Sequence, residues 1–346
     1  MAFSDDLRRF GPGGSEKLTP AAALAYCAQL TAPHYENFSV VTWLTPRAHR
    51  AAFQSIYAFC RWSDDLGDEV GDPRRALELL GWWRGELLAL YQGAPRHPVM
   101  IALAETVDRY RIPIEPFDAL ISAFEQDQSV TEYLTYEQLL DYCTRSANPV
   151  GHLVLHVAGA FTPENARLAD RTCTALQLAN FWQDVARDLA IGRIYLPRED
   201  RVRFGYPEAD LRALRCTPAF ADLMKFEVDR TRDLFREGQA LVPRIPGMLA
   251  VDVDLFSRGG LAVLARIEAE GFDVLSSRLA LSRWTKLRLL ARAVLGMVAA
   301  PVARRFPGDP GMADRERPGR AGHPGQGSSG ALRTATAAPS LEEGPP

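Results

Sequence analysis

Residues Ile56–Glu69 read IYAFCRWSDDLGDE, and residues Gln177–Asp188 read QLANFWQDVARD. At 3.6 residues per turn, Tyr57, Arg61, Asp64 and Asp68 fall on one stripe of a helix. Gln177, Asn180, Asp184 and Asp188 fall on one stripe of another. Asp64 and Asp68 stand one turn apart, where like charges cost an isolated helix roughly a few tenths of a kcal/mol. Asp65 and Glu69 add to the crowding. A divalent cation turns that repulsion into ligation, because hard Mg²⁺ takes carboxylate and phosphate oxygens. The second stripe adds two amides and two carboxylates, all oxygen ligands. One acidic stripe alone is most often a solvated helix face. A second, set among Leu178, Phe181, Trp182 and Val185, is hard to treat as surface. Together they suit two ligand faces opposed across a bundle cavity, with metal ions bridging them to a diphosphate.

Outward from these stripes the chain stays helical in pattern from Thr19 to about Leu290, with apolar residues three and four apart. Ala76–Leu90 carries Leu77, Leu79, Leu80, Trp83 and Leu87; Ala219–Leu241 carries Leu223, Phe226, Val228, Leu234 and Phe235. Alternating strand patterns separated by turn signals are missing. Pro33, Pro46, Gly93–Pro98, Pro113–Pro116 and Pro243–Pro246 read as interhelical turns. These signals predict an all-α fold with one helical domain over residues 19–305. Residues 1–18 are polar and Gly-rich and are expected to be flexible. Residues 306–346 turn to Gly, Pro, Ser, Ala and charges, too little apolar surface to fold, and are expected to be a disordered tail.

The chain has 346 residues, 47% hydrophobic and 24% charged, with a formal net charge of −3. A nucleic-acid binder would show a basic field, so no nucleic-acid partner is expected. No early run resembles a signal peptide and no stretch reaches membrane-span length, so the expected location is cytoplasmic. Five scattered cysteines without CxxC spacing are expected to be reduced core thiols.

The two stripes, with what lies between and after them, resemble the squalene/phytoene synthase family. Its first aspartate motif, DxxxD after a Tyr-Ala-hydrophobic-Cys-Arg lead, matches Tyr57-Ala58-Phe59-Cys60-Arg61 with Asp64 and Asp68. Its second, QxxNxxxDxxxD, matches Gln177, Asn180, Asp184 and Asp188. An RxYLP signature follows at Arg193, Tyr195, Leu196 and Pro197, and a YxxxSAxPVG element lies at Tyr142, Ser146, Ala147, Pro149, Val150 and Gly151. The resemblance covers about Ala21 to Leu290. It implies the all-α isoprenoid synthase bundle around a central cavity, and several Mg²⁺ ions bound with an isoprenoid diphosphate substrate. By that analogy Asp64, Asp68, Asn180, Asp184 and Asp188 hold metal, and Arg61 and Arg193 grip diphosphate, since guanidinium pairs bidentately with phosphate. Tyr57, Tyr142 and Phe38 would line the hydrocarbon and cation region, where aromatic faces lower a carbocation's energy without attacking it. Asp65, Gln177, Tyr195 and His34 complete the implied substrate-binding set.

Two departures from the family pattern narrow the branch. The arginine usual before the first Asp of the second motif is Gln183 here. The usual Ser-rich N-terminal segment is His34-Tyr35-Glu36-Asn37-Phe38. Both resemble bacterial hydroxysqualene synthases of hopanoid precursor synthesis. The implied reaction is ionisation of presqualene diphosphate, rearrangement and capture by water to give hydroxysqualene. Gln183 removes a cation that could hold a second diphosphate, which suits a substrate carrying one. The alternatives are a head-to-head condensing synthase (presqualene diphosphate, squalene or phytoene) and a non-catalytic assembly factor on the same fold. Intact aspartate faces argue against the latter.

Other features have plainer readings. His152 and His156 lack a third ligand and are expected to pack, as are Trp62 and Trp182. Gly259-Gly260 suits a close helix approach or a turn. Arg278–Arg292, basic among leucines, reads as a solvated helix face; its sharper reading is peripheral attachment to the inner membrane surface. Truncation after Phe306 is expected to leave melting temperature and activity nearly unchanged, because it deletes no periodic apolar face. A melting temperature lower by several degrees in calorimetry would show that the tail packs on the core.

Overall fold

The computed structural model describes residues 3–31, 47–247 and 249–276. In chain order the helices are α1 (Phe3–Phe10), α2 (Pro20–Thr31), α3 (Arg47–Asp68), α4 (Pro73–Tyr91), α5 (Pro98–Tyr110), α6 (Glu115–Gln126), α7 (Tyr136–Ser146) and α8 (Asn148–Val157). They continue as α9 (Pro163–Gln183), α10 (Val185–Ala190), α11 (Arg198–Arg203), α12 (Glu208–Arg212), α13 (Pro218–Gly238) and α14 (Leu249–Ala269), with a 3₁₀ turn at Gln239–Arg244 between the last two. Among the described residues there is no strand, only an isolated parallel bridge between Glu132 and Ile194.

The helix starts follow directly from sequence. Asp72, Thr162 and Thr217 each stand before a proline and accept a hydrogen bond from a backbone N–H of the first turn. Proline is tolerated there because its missing N–H would have had no helical partner, and the cap oxygen satisfies one of the N–H groups that remain. His97 caps α5 in the same manner, its Nδ1 accepting from the Val99 amide at 3.1 Å.

Trp62 and Trp83 stack at 5.5 Å beneath the first acidic stripe. Their indole N–H groups donate to Tyr26 and Ser63, each at 3.0 Å. His97 stands edge-on to both rings, and burial pushes its pKa down to about 3, so it packs as a neutral ring. A second core gathers Trp182, Phe181, Tyr195 and Phe235 between α9, α13 and α14. There the Trp182 indole donates to Thr231 at 2.8 Å. A Cβ on Gly260 would stand 2.1 Å from Phe235 Cζ. The absent side chain is therefore what lets α14 lie against α13. All five cysteines are free thiols.

Some expectations change. Residues 3–10, assigned to a flexible terminus, form a helix whose Phe3, Leu7 and Phe10 lie at i, i+4 and i+7. Phe10 is buried against Tyr26 and His97, and Phe3 meets Trp62. Leu77 is exposed, because the buried row of α4 runs through Ala76, Leu79, Leu80, Trp83 and Leu87. The helix expected over 219–241 ends at Gly238. Residues 32–46, with His34, Phe38, Pro33 and Pro46, lie outside the described residues, as do Arg278–Arg292 and the tail.

Gly260→Ala is expected to cost about 1–3 kcal/mol through overpacking against Phe235. Gly259→Ala, where an added Cβ meets nothing within 4 Å, should be neutral or gain up to ~1 kcal/mol in helix propensity. Urea unfolding of the two variants checks the contrast.

Candidate functional site

On α3 the buried and polar faces separate as the spacing requires. Phe59, Trp62, Ser63 and Leu66 are buried, while Tyr57, Arg61 and Asp64 are partly exposed and Asp68 is exposed. The crowding expected between Asp64 and Asp68 is present: burial, then the charge of Asp68, raises the Asp64 pKa. Arg61 is engaged on its own helix. Its Nε donates to Asp65 Oδ2 at 2.9 Å, and it lies 3.6 Å from Asp64 and 3.2 Å from Glu69. Asp65 is buried by this arrangement, and burial pushes its pKa up to about 7 although Arg61 pulls the other way.

The second stripe differs from a single straight helix. α9 ends at Gln183, and Asp184 takes φ −105° and ψ 17° before α10 begins. Hydrogen bonding nevertheless carries across the bend, from the Asp184 amide to Asn180 O at 3.0 Å and from the Asp188 amide to Asp184 O at 2.8 Å. Gln177 and Asp188 are therefore half-buried, Asn180 is exposed and Asp184 is buried. Arg187 approaches Asp184 at 3.4 Å.

Arg193 joins the two regions. Its guanidinium donates to Asp68 at 2.9 Å across 125 residues of sequence. Burial opposes its charge, but Tyr195, Asp68 and Asp127 more than offset that and raise its pKa. The segment is pinned by the Arg193 amide to Asp188 O and the Ile194 amide to Thr131 O, each at 2.8 Å. Tyr195 stacks on Phe181 at 3.8 Å with rings 9° from parallel, and Tyr133 and Tyr142 stand beside it. A small cleft lined by Phe181, Asp188, Leu189, Arg193, Tyr195 and Leu211 opens here. Asp64, Asp68, Asp188, Arg193, Tyr195 and Tyr142 thus belong to one region.

Asp127 is the residue that sequence reasoning missed. It caps the C-terminus of α6 and accepts a hydrogen bond from the Tyr142 hydroxyl at 2.9 Å. Burial pushes its pKa up to about 6. Arg193 and the Tyr142 bond oppose the shift, and Asp68 and Asp64 add to it. No helical spacing ties it to another acid, so only the fold reveals that it faces the same charges. His152, by contrast, pairs with Asp170 at 2.8 Å, and His156 stacks on Phe161.

Among the described residues no three His, Cys, Asp or Glu side chains form a ready-made metal site. The donor chemistry still fits magnesium: carboxylates and an amide, with Asp64 and Asp68 repelling each other on one face. It fits as a partial set that a diphosphate's own oxygens would complete.

Asp127→Asn tests the crowding. A carboxyl whose folded pKa is raised loses stability as pH climbs from its unfolded value of 3.8 through about 6. The asparagine variant should therefore gain on the wild type between pH 4 and pH 7, by about 1–2 kcal/mol. It keeps an acceptor for Tyr142. Melting curves with a constant pH 4 to pH 7 difference between the two proteins would show that Asp127 is not desolvated.

The squalene/phytoene synthase family profile matches residues 31–285. A phytoene synthase of Arthrospira platensis is 33% identical over 286 residues, 78% of this chain and 91% of that protein. A presqualene diphosphate synthase of Rhodopseudomonas palustris is 28% identical, over 73% of this chain and 91% of its own. Among solved structures, a squalene synthase HpnC from Alicyclobacillus acidocaldarius is 45% identical with a TM-score of 0.71, covering 73% of this chain and 96% of that one. A dehydrosqualene synthase in complex with a ligand shares the fold at 23% identity, with a TM-score of 0.73 over 81% of this chain and 98% of its own. With these matches and an all-α isoprenoid synthase fold, the chain belongs to the squalene/phytoene synthase family.

Proposed function

We propose that this chain ionises presqualene diphosphate and captures the rearranged cation with water, giving hydroxysqualene. Gln183 carries the reading. It stands where the family's second aspartate motif usually places an arginine, at the end of α9 next to the buried Asp184. Without that cation the site is suited to one diphosphate. The 45% identity to the HpnC squalene synthase supports the same side of the family.

Asp64, Asp68, Asn180, Asp184 and Asp188 would hold magnesium, with Tyr57, Gln177 and Asp65 around them. Magnesium, when bound, neutralises negative charge on the leaving diphosphate. Arg193 now pairs with Asp68; exchanging that carboxylate for phosphate oxygens is favourable because both offer the fork geometry of a guanidinium. Arg61 pairs with Asp65 as Arg193 pairs with Asp68, and both guanidiniums would turn to the diphosphate when it binds. The C–O bond breaks with its electron pair on diphosphate. The cyclopropylcarbinyl cation then rearranges beside aromatic faces such as Tyr142, whose ring sits with Tyr195 and Phe181. A water oxygen bonds to the cationic carbon and releases one proton to solvent or diphosphate.

The phytoene and presqualene diphosphate synthases among the relatives favour a second reading, head-to-head condensation. Purified enzyme with Mg²⁺ and presqualene diphosphate, incubated in ¹⁸O water, separates the two. Labelled hydroxysqualene, unaffected by NADPH, is the expected product; efficient condensation of farnesyl or geranylgeranyl diphosphate would overturn the reading. Asp64→Asn and Asp188→Asn should each cost about a hundredfold or more in turnover, the scale of losing a major electrostatic stabiliser. Full turnover in EDTA would remove the metal assignment. No described helix is long and apolar enough to cross a membrane.

A further inference from the structure

The first aspartate face sits at the very end of its helix. α3 stops at Asp68, and the last carbonyls of a helix have no N–H four residues on to bond. Gly67, a poor helix former, stands immediately before Asp68. The charge of Asp68 also crowds Asp64 in the same turn. Asp68 is exposed, so its place is set mainly by the backbone beneath it. Local chemistry therefore favours fraying just where two carboxylates must hold still.

A side chain from beyond α6 closes that turn. Gln128 is half-buried two residues past the end of α6. Its Nε2 donates to Gly67 O at 3.1 Å and to Phe124 O at 3.0 Å. Both acceptors are carbonyls in the last turn of a helix, so only the NH₂ end of the amide can face them. One amide thus ties the C-termini of α3 and α6 together. Gly67 O shares a planar peptide unit with the N–H and Cα of Asp68, so holding that oxygen orients the backbone that carries Asp68. The approach needs glycine. A Cβ at position 67 would lie 3.3 Å from Phe124 Cδ1 and 3.5 Å from Gln128 Nε2.

The two residues before Gln128 serve the same region. Gln126 donates to the Tyr133 hydroxyl at 3.2 Å, and Asp127 accepts from the Tyr142 hydroxyl at 2.9 Å. Gln128 adds the backbone of α3 to this junction. We propose that Gln128 is a positioning residue for the first aspartate face: by bonding the Gly67 carbonyl it holds Asp68, with Asp64 one turn back, in the register that binds Mg²⁺ and diphosphate. This rests on the reading that Asp64 and Asp68 hold metal. The Arg193–Asp68 pair is given up when phosphate oxygens take the guanidinium, whereas the tie to Gly67 O persists and keeps the carboxylates in place.

The test uses the full chain and two readouts that do not depend on which isoprenoid is the substrate. Inorganic pyrophosphate is titrated by calorimetry with and without Mg²⁺, and hydrogen exchange is followed across residues 64–71 in the metal-free protein. Gln128→Met keeps the length of the side chain and removes the donor. It should weaken Mg²⁺-dependent pyrophosphate binding about fivefold or more, the scale of one lost hydrogen bond, and speed exchange in that segment. Gly67→Ala wedges the same contact from the other side and should weaken binding too. Ser122→Ala is the control: its hydroxyl, on α6, bonds Arg84 and Asp118 O instead. That variant should change neither readout, even if its melting temperature falls. Where Gln128→Met folds poorly, Gly67→Ala carries the comparison. Metal-dependent binding in the wild type that Gln128→Met leaves unchanged, or that Ser122→Ala weakens equally, overturns the positioning role and leaves the proposed function standing. Wild-type binding that is the same with and without Mg²⁺ overturns the metal reading and the role of Gln128 together.

Discussion

The Arg193–Asp68 ion pair is the contact on which the rest of the site depends. It ties the acidic stripe of α3, where Arg61 already pairs with Asp64, Asp65 and Glu69, to the segment after α10. At 2.9 Å, with Asp68 partly open to solvent, the pair adds little to stability, as expected for such pairs. What it contributes is geometry. It places a guanidinium from the segment after α10 beside Asp64, Asp68 and Asp127. A phosphate group can then take over one partner while the remaining charges stay in place.

That geometry is held by joinery behind Arg193. Glu132 pairs with Arg198 at 2.6 Å and also with buried Arg201. Asp200 and Glu227 share Arg230, which lies 3.4 Å over the Tyr136 ring. Burial pushes the Glu227 pKa up to about 8 even though Arg230 opposes it. At neutral pH this group is mostly protonated. Burial disfavours the ionised carboxylate more than the half-buried Arg230 guanidinium favours it. The network anchors α11 to α13, and so fixes the strand-like run that carries Arg193 and Tyr195.

Much of this was legible in the sequence because helical periodicity maps directly onto faces. The stripes at Tyr57–Asp68 and Gln177–Asp188 follow from local chemistry, and of the two readings open at Gly259-Gly260 the close helix approach is the one found, at Gly260. What was not legible depends on tertiary placement. Asp127 has no helical partner and gains its meaning only when α6 ends beside Tyr142. Arg61 pairs with side chains at i+4 and i+8 on its own helix, an engagement that the motif match alone does not indicate. The bend at Asp184 leaves the i−4 hydrogen bonds intact, so the residue spacing gives no warning of it. Residues 3–10 carry so many charges that their short apolar row is easily overlooked.

The buried acids also show how unevenly this fold distributes electrostatic cost. Asp65, Asp127 and Glu227 are raised in pKa yet keep a guanidinium or hydroxyl close by. Each is offset where it lies, and each borders the site or the segment that positions it. Asp252 has no such compensation. Neither of its carboxylate oxygens has a hydrogen-bond partner, and burial alone pushes its pKa up to about 7, so the carboxyl costs more there than a neutral side chain would.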